Sequence, residues 1–444
     1  MTDALIDRTP PREIAGIVIP TIGDAADYDP SRQEETEGLV DALGVELAFS
    51  ETLRVRKPNA GKLFGGGQLD ALRSRLAGSD ATMLIVDAAL SPIQQRNLER
   101  DLKVKIVDRT GLILEIFGLR ARSAEGRLQV EMARLLYERS RLVRTWTHLE
   151  RQRGGVGFLA GPGESQLEAD RRMLDRRIAK FRRELEDVRR TRKLQRSGRQ
   201  RRGAPVVALV GYTNAGKSTL FNRLADASVM AADMPFATLD PTARDIELPS
   251  GRKVALIDTV GFISDLPTHL VASFRATVEA AMEADLLLHV RDISHPETDR
   301  QADDVDAVLE QLEGELDLAR PPTLEAWNKS DLLGPDMRAG LAARAARSED
   351  DAVIVSAANG DGVDDLLKAI EARLFRSRRP VDLYLAPSEG KARAWLHEHC
   401  EVETESTGDD GAFAMTVLMS STELARFQKI APGVSEALKA HAAE

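Results

Sequence analysis

Lys217 and Ser218 close the stretch GYTNAGKS, which follows the apolar run VVALV and opens the helical run STLFNRLAD. This is G-x-x-x-x-G-K-S between a strand and a helix, the arrangement whose backbone amides wrap phosphate oxygens. Gly211 and Gly216 permit the tight turn, and Tyr212, Thr213, Asn214 and Ala215 form the loop between them. Lys217 is expected to pair with β- and γ-phosphates, Ser218 to ligate Mg2+ through its hydroxyl, and Thr219 to continue the helix beside them. That motif implies a nucleoside triphosphate without naming its base.

Four further elements follow in the order such a site requires. FATLD (Phe236, Ala237, Thr238, Leu239, Asp240) lies about twenty residues after Lys217, where a first switch belongs, and Thr238 is its candidate second Mg2+ ligand. DTVG (Asp258, Thr259, Val260, Gly261) follows the strand-like VALI; Asp258 would hold the magnesium outer shell and the Gly261 N–H would meet the γ-phosphate. NKSD (Asn328, Lys329, Ser330, Asp331) ends in a carboxylate that can accept both the N1 and N2 hydrogens of guanine, where adenine has no matching pair of donors. SAA (Ser356, Ala357, Ala358) would back the guanine O6 with a main-chain N–H. Together the five elements specify an enzyme that hydrolyses GTP to GDP and phosphate with Mg2+.

One catalytic part is missing. Ras-like enzymes place a water-orienting glutamine after D-x-x-G. Here that position is Phe262, which neither donates nor accepts a hydrogen bond and has no polar role to play in turnover. Asn214, three residues before Lys217, either helps hold a potassium ion beside the phosphates or only braces the loop. Lys217, Thr238, Gly261 and Asn214 are therefore the expected catalytic set, with slow intrinsic hydrolysis that a partner stimulates.

These residues need an α/β scaffold. With 444 residues and one cysteine, Cys400, the chain has room for several cores and no disulfide framework. It has no apolar run of about 18 residues, and its first residues, MTDALIDRTPPRE, are not those of a secretory signal; a cytoplasmic, reduced setting is expected. Residues 13–110 alternate β-like runs (IAGIVIP, MLIVDA, VKIVDR) with helical stretches, a small α/β unit with parallel pairing. FGGGQLD within it could hold an anion or simply turn the chain into a helix. Residues 198–205 read as a linker, 206–376 as the nucleotide-binding domain and 377–444 as a small α+β unit.

Residues 111–197 read as an antiparallel helical hairpin. Folding the apolar series about a glycine-rich tip at 153–164 pairs Leu142 with Leu174 and Leu135 with Phe181. The net charge of −10 argues against nucleic acid, yet Arg171 to Arg202 carries 15 Lys/Arg against 4 Asp/Glu. That local footprint, with Arg176, Arg177, Arg182 and Arg183 outside the seam, suits RNA phosphates or else a solvated helix face. The tip residues Phe158 and Leu159 either enter a structured RNA cavity or pack on their own protein.

With RGGVGFLAGPGESQLEADRR between the helices, then GYTNAGKST, FATLDPT and DTVGFISDLP, the chain resembles the HflX family of ribosome-associated GTPases, in the Obg–HflX branch. The likeness runs from about residue 15 to 375. It implies a multidomain α/β protein: an N-terminal α/β domain with its hairpin, a Ras-like P-loop domain and a small α+β C-terminal domain. It further implies binding to the large ribosomal subunit through ribosomal RNA and protein, and a role in ribosome dissociation, rescue, recycling or biogenesis; nothing in the sequence itself demands an oligomer, and a monomer is expected. The alternative is a tRNA-modification or signalling GTPase with a non-ribosomal partner.

Overall fold

The computed structural model describes every residue except 1–12, 24–28, 153–161, 201–204, 227–234, 237–241, 265–274, 317, 346–351, 376–378, 409–410, 420, 432–433 and 435–444. Three sheets organise the described residues.

The first has the order β2-β1-β3-β4, all parallel, from β1 (Ile14–Ile22), β2 (Glu46–Val55), β3 (Met83–Val86) and β4 (Lys105–Asp108). β3 is buried at every position, as expected of an apolar run covered on both faces. Short polar signals start its helices. Asp29 accepts from the Ser31 and Arg32 amides ahead of α1 (Pro30–Ala42). After α2 (Gly66–Ala77), Ser91 and Gln94 form a capping box on α3 (Pro92–Leu102), each satisfying an amide that the first turn leaves without a partner. Asp108 caps α4 (Arg109–Arg120), which packs on this sheet and is not part of the hairpin, contrary to the boundary expected at 111.

The hairpin consists of α5 (Ala124–Gln152) and α6 (Pro162–Gln200). Leu135, Leu174 and Ile178 are buried together with Phe181 packed against them, which puts Leu135 and Phe181 in one cluster; the side chain of Leu142, expected opposite Leu174, lies outside the described residues. Arg139, which interrupts the apolar seam, bonds Asp175 across it at 3.1 Å. The tip is shorter than 153–164, because helix resumes at Pro162, where a missing N–H has no consequence. At the other end α6 runs through 198–200, where the sequence predicts a linker; Arg199 and Gln200 are good helix formers and carry it past Gly198.

The second sheet has the order β10-β9-β8-β5-β7-β6. Its strands are β5 (Val206–Val210), β6 (Thr242–Glu247), β7 (Lys253–Asp258), β8 (Leu286–Asp292), β9 (Thr323–Asn328) and β10 (Ala352–Ile354). All pairings are parallel except that of edge strand β6. Strand order reverses at β5, so the loop leaving its carboxyl end opens into the crevice where such sheets bind ligands. The third sheet, from β11 (Arg379–Leu385), β12 (Glu401–Thr407) and β13 (Phe413–Met419) in the order β11-β13-β12, is antiparallel, and Leu396, Val417 and Phe427 are fully buried in its core, with Cys400 half-buried at the margin.

His289 on β8 is 2% exposed. Burial pushes its pKa down to about 4, against the pull of Glu325 and Asp306 and with help from Arg291 and Arg320. The unfolded imidazole protonates near 6.5 and the folded one only near 4, so its contribution is intact above about 6.5 and lost as pH falls between those values. That difference amounts to roughly 3 kcal/mol. Urea unfolding at pH 7 and pH 4.5 should show wild type losing more stability than His289→Gln. An equal loss in both would contradict this assignment.

Candidate nucleotide site

The loop after β5 carries Gly211 at φ +148°, Asn214 at +60° and Gly216 at +90°. A Cβ on Gly211 would lie 2.2 Å from the Val290 carbonyl oxygen, and one on Gly216 would lie 2.2 Å from Asn328 Nδ2. Both positions are therefore closed to any side chain. Asn214 and Thr219 are exposed, while Tyr212, Thr213 and Ala215 are buried.

Lys217 begins α7 (Lys217–Ala225), with its ammonium bonded to the Gly211 and Tyr212 carbonyls at 3.0 and 2.6 Å. Burial pulls its pKa down to about 8, with Asp258 opposing the shift. The Ser218 hydroxyl donates to Asp258 Oδ2 at 2.8 Å. Two oxygen donors meeting beside a buried ammonium form a donor set that suits a hard divalent cation such as Mg2+. Thr259 points away from them, donating to the Leu209 carbonyl, and Val260 is buried.

The elements expected to read the base also follow the carboxyl ends of strands. Asn328, at the end of β9, donates to the Ala215 carbonyl at 2.8 Å and accepts from the Ala357 amide at 2.9 Å, joining three elements through one side chain. Ser356 donates to Asp331 Oδ1 at 2.6 Å and so orients the carboxylate expected to read guanine. Lys329 pairs with Asp292, and the Ser330 amide donates to the Val355 carbonyl. Of the SAA amides, one of which is expected at O6, that of Ala357 donates to Asn328; Ala358 follows it, exposed. Arg223 donates to the Ala357 and Ala358 carbonyls at 2.7 and 2.5 Å. Sequence reasoning missed this residue, because its partners lie 134 and 135 residues away.

Phe236 is buried with its ring edge-on to Phe117 at 4.8 Å. Ala237, Thr238, Leu239 and Asp240 lie outside the described residues. Gly261 is pressed against the phosphate loop, since a Cβ there would lie 2.8 Å from Thr213 Cγ2 and 3.0 Å from Lys217 Nζ. Phe262 donates its amide to the Gly211 carbonyl at 3.1 Å and accepts from the Thr213 amide at 2.7 Å. Its ring is 3% exposed, inside a core shared with the first sheet and α4. The residue in the glutamine position is thus structural packing as well as a non-polar substitute.

A charged network joins this site to the N-terminal unit. Arg109 bonds Asp87 at 2.5 Å, Glu35, and the Ser264 carbonyl at 2.9 Å. The Tyr212 hydroxyl bonds Glu35 and lies 2.7 Å from both the Ser264 amide and its hydroxyl. Burial and the Glu35 charge raise the pKa of that phenol, so it stays a donor.

Four family descriptions match the chain in succession: GTP-binding GTPase N-terminal over residues 31–118, GTP-binding GTPase Middle Region over 120–199, 50S ribosome-binding GTPase over 206–329, and HflX C-terminal domain over 340–434. The GTPase HflX of Magnetococcus marinus is 48% identical over 85% of this chain and 85% of its own. That of Escherichia coli K12 is 42% identical over 93% and 95%. Among solved structures, a GTP-binding protein from Sulfolobus solfataricus in complex with GDP is 24% identical, covers 82% of this chain and 99% of its own, and has a TM-score of 0.44. Identity at this level across nearly the whole length, in the same domain order, settles the assignment: the chain belongs to the HflX family of GTPases.

Proposed function

We propose that this GTPase binds the large ribosomal subunit and uses its nucleotide cycle in ribosome dissociation, rescue, recycling or biogenesis. One observation carries the reading. A two-helix hairpin hides its apolar seam and turns Arg176, Arg177, Arg182 and Arg183 outward, leaving a basic rod on an acidic protein. The family description that includes 50S ribosome binding supports it. Phe158 and Leu159, proposed to enter an RNA cavity, lie outside the described residues.

In the proposed nucleotide site the amides of Gly211 to Ser218 hold the phosphates and Lys217 neutralises charge developing between β and γ. P-loop GTPases generally use Mg2+, and Ser218, Thr238 and Asp258 are the proposed holders; the ion supplies charge neutralisation of the phosphate oxygens. Asp331, oriented by Ser356, accepts from guanine N1 and N2. The Gly261 amide contacts the γ-phosphate. Phe262 cannot orient water, so its positioning falls to backbone, ion or ribosome. Hydrolysis should accordingly be slow for the free protein and rise strongly with purified large subunits. Stimulation by tRNA with none from subunits would favour the non-ribosomal reading.

Asn214, exposed at the rim of the loop, is proposed to help hold potassium beside the phosphates. The basal rate should then be higher in KCl than in NaCl at equal ionic strength, and Asn214→Ala should remove the difference. Equal rates in both salts would leave Asn214 a loop brace.

A further inference from the structure

The loop that leaves β10 is tied into a turn on itself. Ser356 donates its amide to the Asp361 carbonyl, and its own carbonyl accepts from the Gly360 amide, both at 2.8 Å. Gly362, at φ +73°, closes the turn where a Cβ would lie 2.1 Å from the Ile354 carbonyl oxygen. Three outside ties hold this turn beside the nucleotide site. Ser356 donates to Asp331, the Ala357 amide donates to Asn328, and Arg223 donates to two carbonyls. Asn328 and Asp331 belong to the segment expected to read the base, whereas Arg223 comes from α7, the helix that begins at Lys217.

The guanidinium straddles consecutive carbonyls. Its Nε donates to Ala357 at 2.7 Å and its Nη2 to Ala358 at 2.5 Å. Its Nη1 lies against Gly360, where a Cβ would be 3.1 Å away. A planar fork fixes two peptide groups at once, with a directionality that a lysine ammonium lacks. In a trans peptide the N–H points opposite to the C=O. Holding the Ala357 carbonyl therefore turns the Ala358 N–H away from the guanidinium. The amides on either side are already engaged, Ala357 with Asn328 and Asn359 with Ser356 Oγ at 3.3 Å. Among the described residues nothing accepts the Ala358 N–H.

We propose that Arg223 is a positioning residue for base recognition: through the Ala357–Ala358 peptide it aims the Ala358 N–H at guanine O6. This rests on the reading of Ser356 to Ala358 as the loop that backs the base. Asp331 then accepts from N1 and N2 while Ala358 donates to O6, so one whole edge of guanine is read. Adenine carries an amino group in place of O6, and two donors would face each other there.

Affinities for GDP and for 6-thioguanosine diphosphate, measured on the full chain, test the assignment. The analogue keeps the N1 and N2 hydrogens and replaces O6 by sulfur, a weaker acceptor. Wild type should favour GDP. Arg223→Met removes the fork and should shrink that preference by about threefold to tenfold, the effect of one net hydrogen bond. Arg223→Lys, with a single ammonium for two carbonyls, should fall between. An arginine that merely braced the fold would weaken both nucleotides alike, so an unchanged ratio in Arg223→Met overturns the proposal. A wild type that does not tell the two nucleotides apart overturns the reading of the loop itself. Should the Arg223 variants not fold, wild-type protein carrying isotope-labelled alanine decides by NMR. The Ala358 amide resonance should differ between the two complexes by more than that of Ala357. A difference confined to Ala357, or none at either residue, overturns the proposal.

Discussion

Lys217→Ala should lower kcat for GTP by at least about 10²-fold, the usual loss when a preorganised charge donor is removed from a transition state. The ammonium is bent back over the loop, 3.0 and 2.6 Å from the carbonyls of Gly211 and Tyr212, the place that the proposed reading gives to phosphate oxygens. The fold should survive. Burial makes the charged ammonium costly, as its pKa of about 8 shows, and its removal offsets part of what the two carbonyls lose. Single-turnover hydrolysis beside a thermal melt separates these effects. Retained turnover, or a collapse of the melting transition, would place Lys217 in the scaffold and not in catalysis.

Asp331→Asn should exchange one base for another. On the proposed reading the carboxylate, which Ser356 orients at 2.6 Å, would accept two guanine donors at once. Losing it removes a charged acceptor, a loss of about 1.5–3 kcal/mol, or roughly 10- to 150-fold in GTP affinity. The new amide can donate to the O2 of xanthine, so xanthosine triphosphate should gain. Competition of both nucleotides against a fluorescent GDP reads the ratio. A GTP:XTP preference unchanged from wild type would mean that the base is read elsewhere.

What could be read from the sequence was local. A strand, a glycine turn and a helix place GYTNAGKS within a dozen residues, and its backbone requirement at Gly211 and Gly216 is written in residue type. The starts of helices at Asp29 and Ser91 are equally local. β2 carries no strand signal of its own in the sequence, because an edge strand whose residues are mostly exposed or half-exposed lacks an apolar run. The Glu35, Arg109, Tyr212 and Ser264 network was illegible for a different reason. Its contacts join residues 74, 155 and 177 positions apart, and an isolated glutamate or arginine carries no periodic signal. Phe262 was legible as a missing glutamine, but its burial between units depends on the arrival of α4.

Sedimentation with ribosomes tests the central claim most directly. Purified large subunits are mixed with the protein and a non-hydrolysable GTP analogue, then run through sucrose gradients at several salt concentrations. The protein should travel with the large subunit, and reversing the charges of Arg176, Arg177, Arg182 and Arg183 should weaken and flatten the salt dependence by nearly one unit of slope per lost phosphate contact. Wild-type protein that stays at the top of the gradient with GTP analogue, GDP or no nucleotide would contradict the ribosomal account.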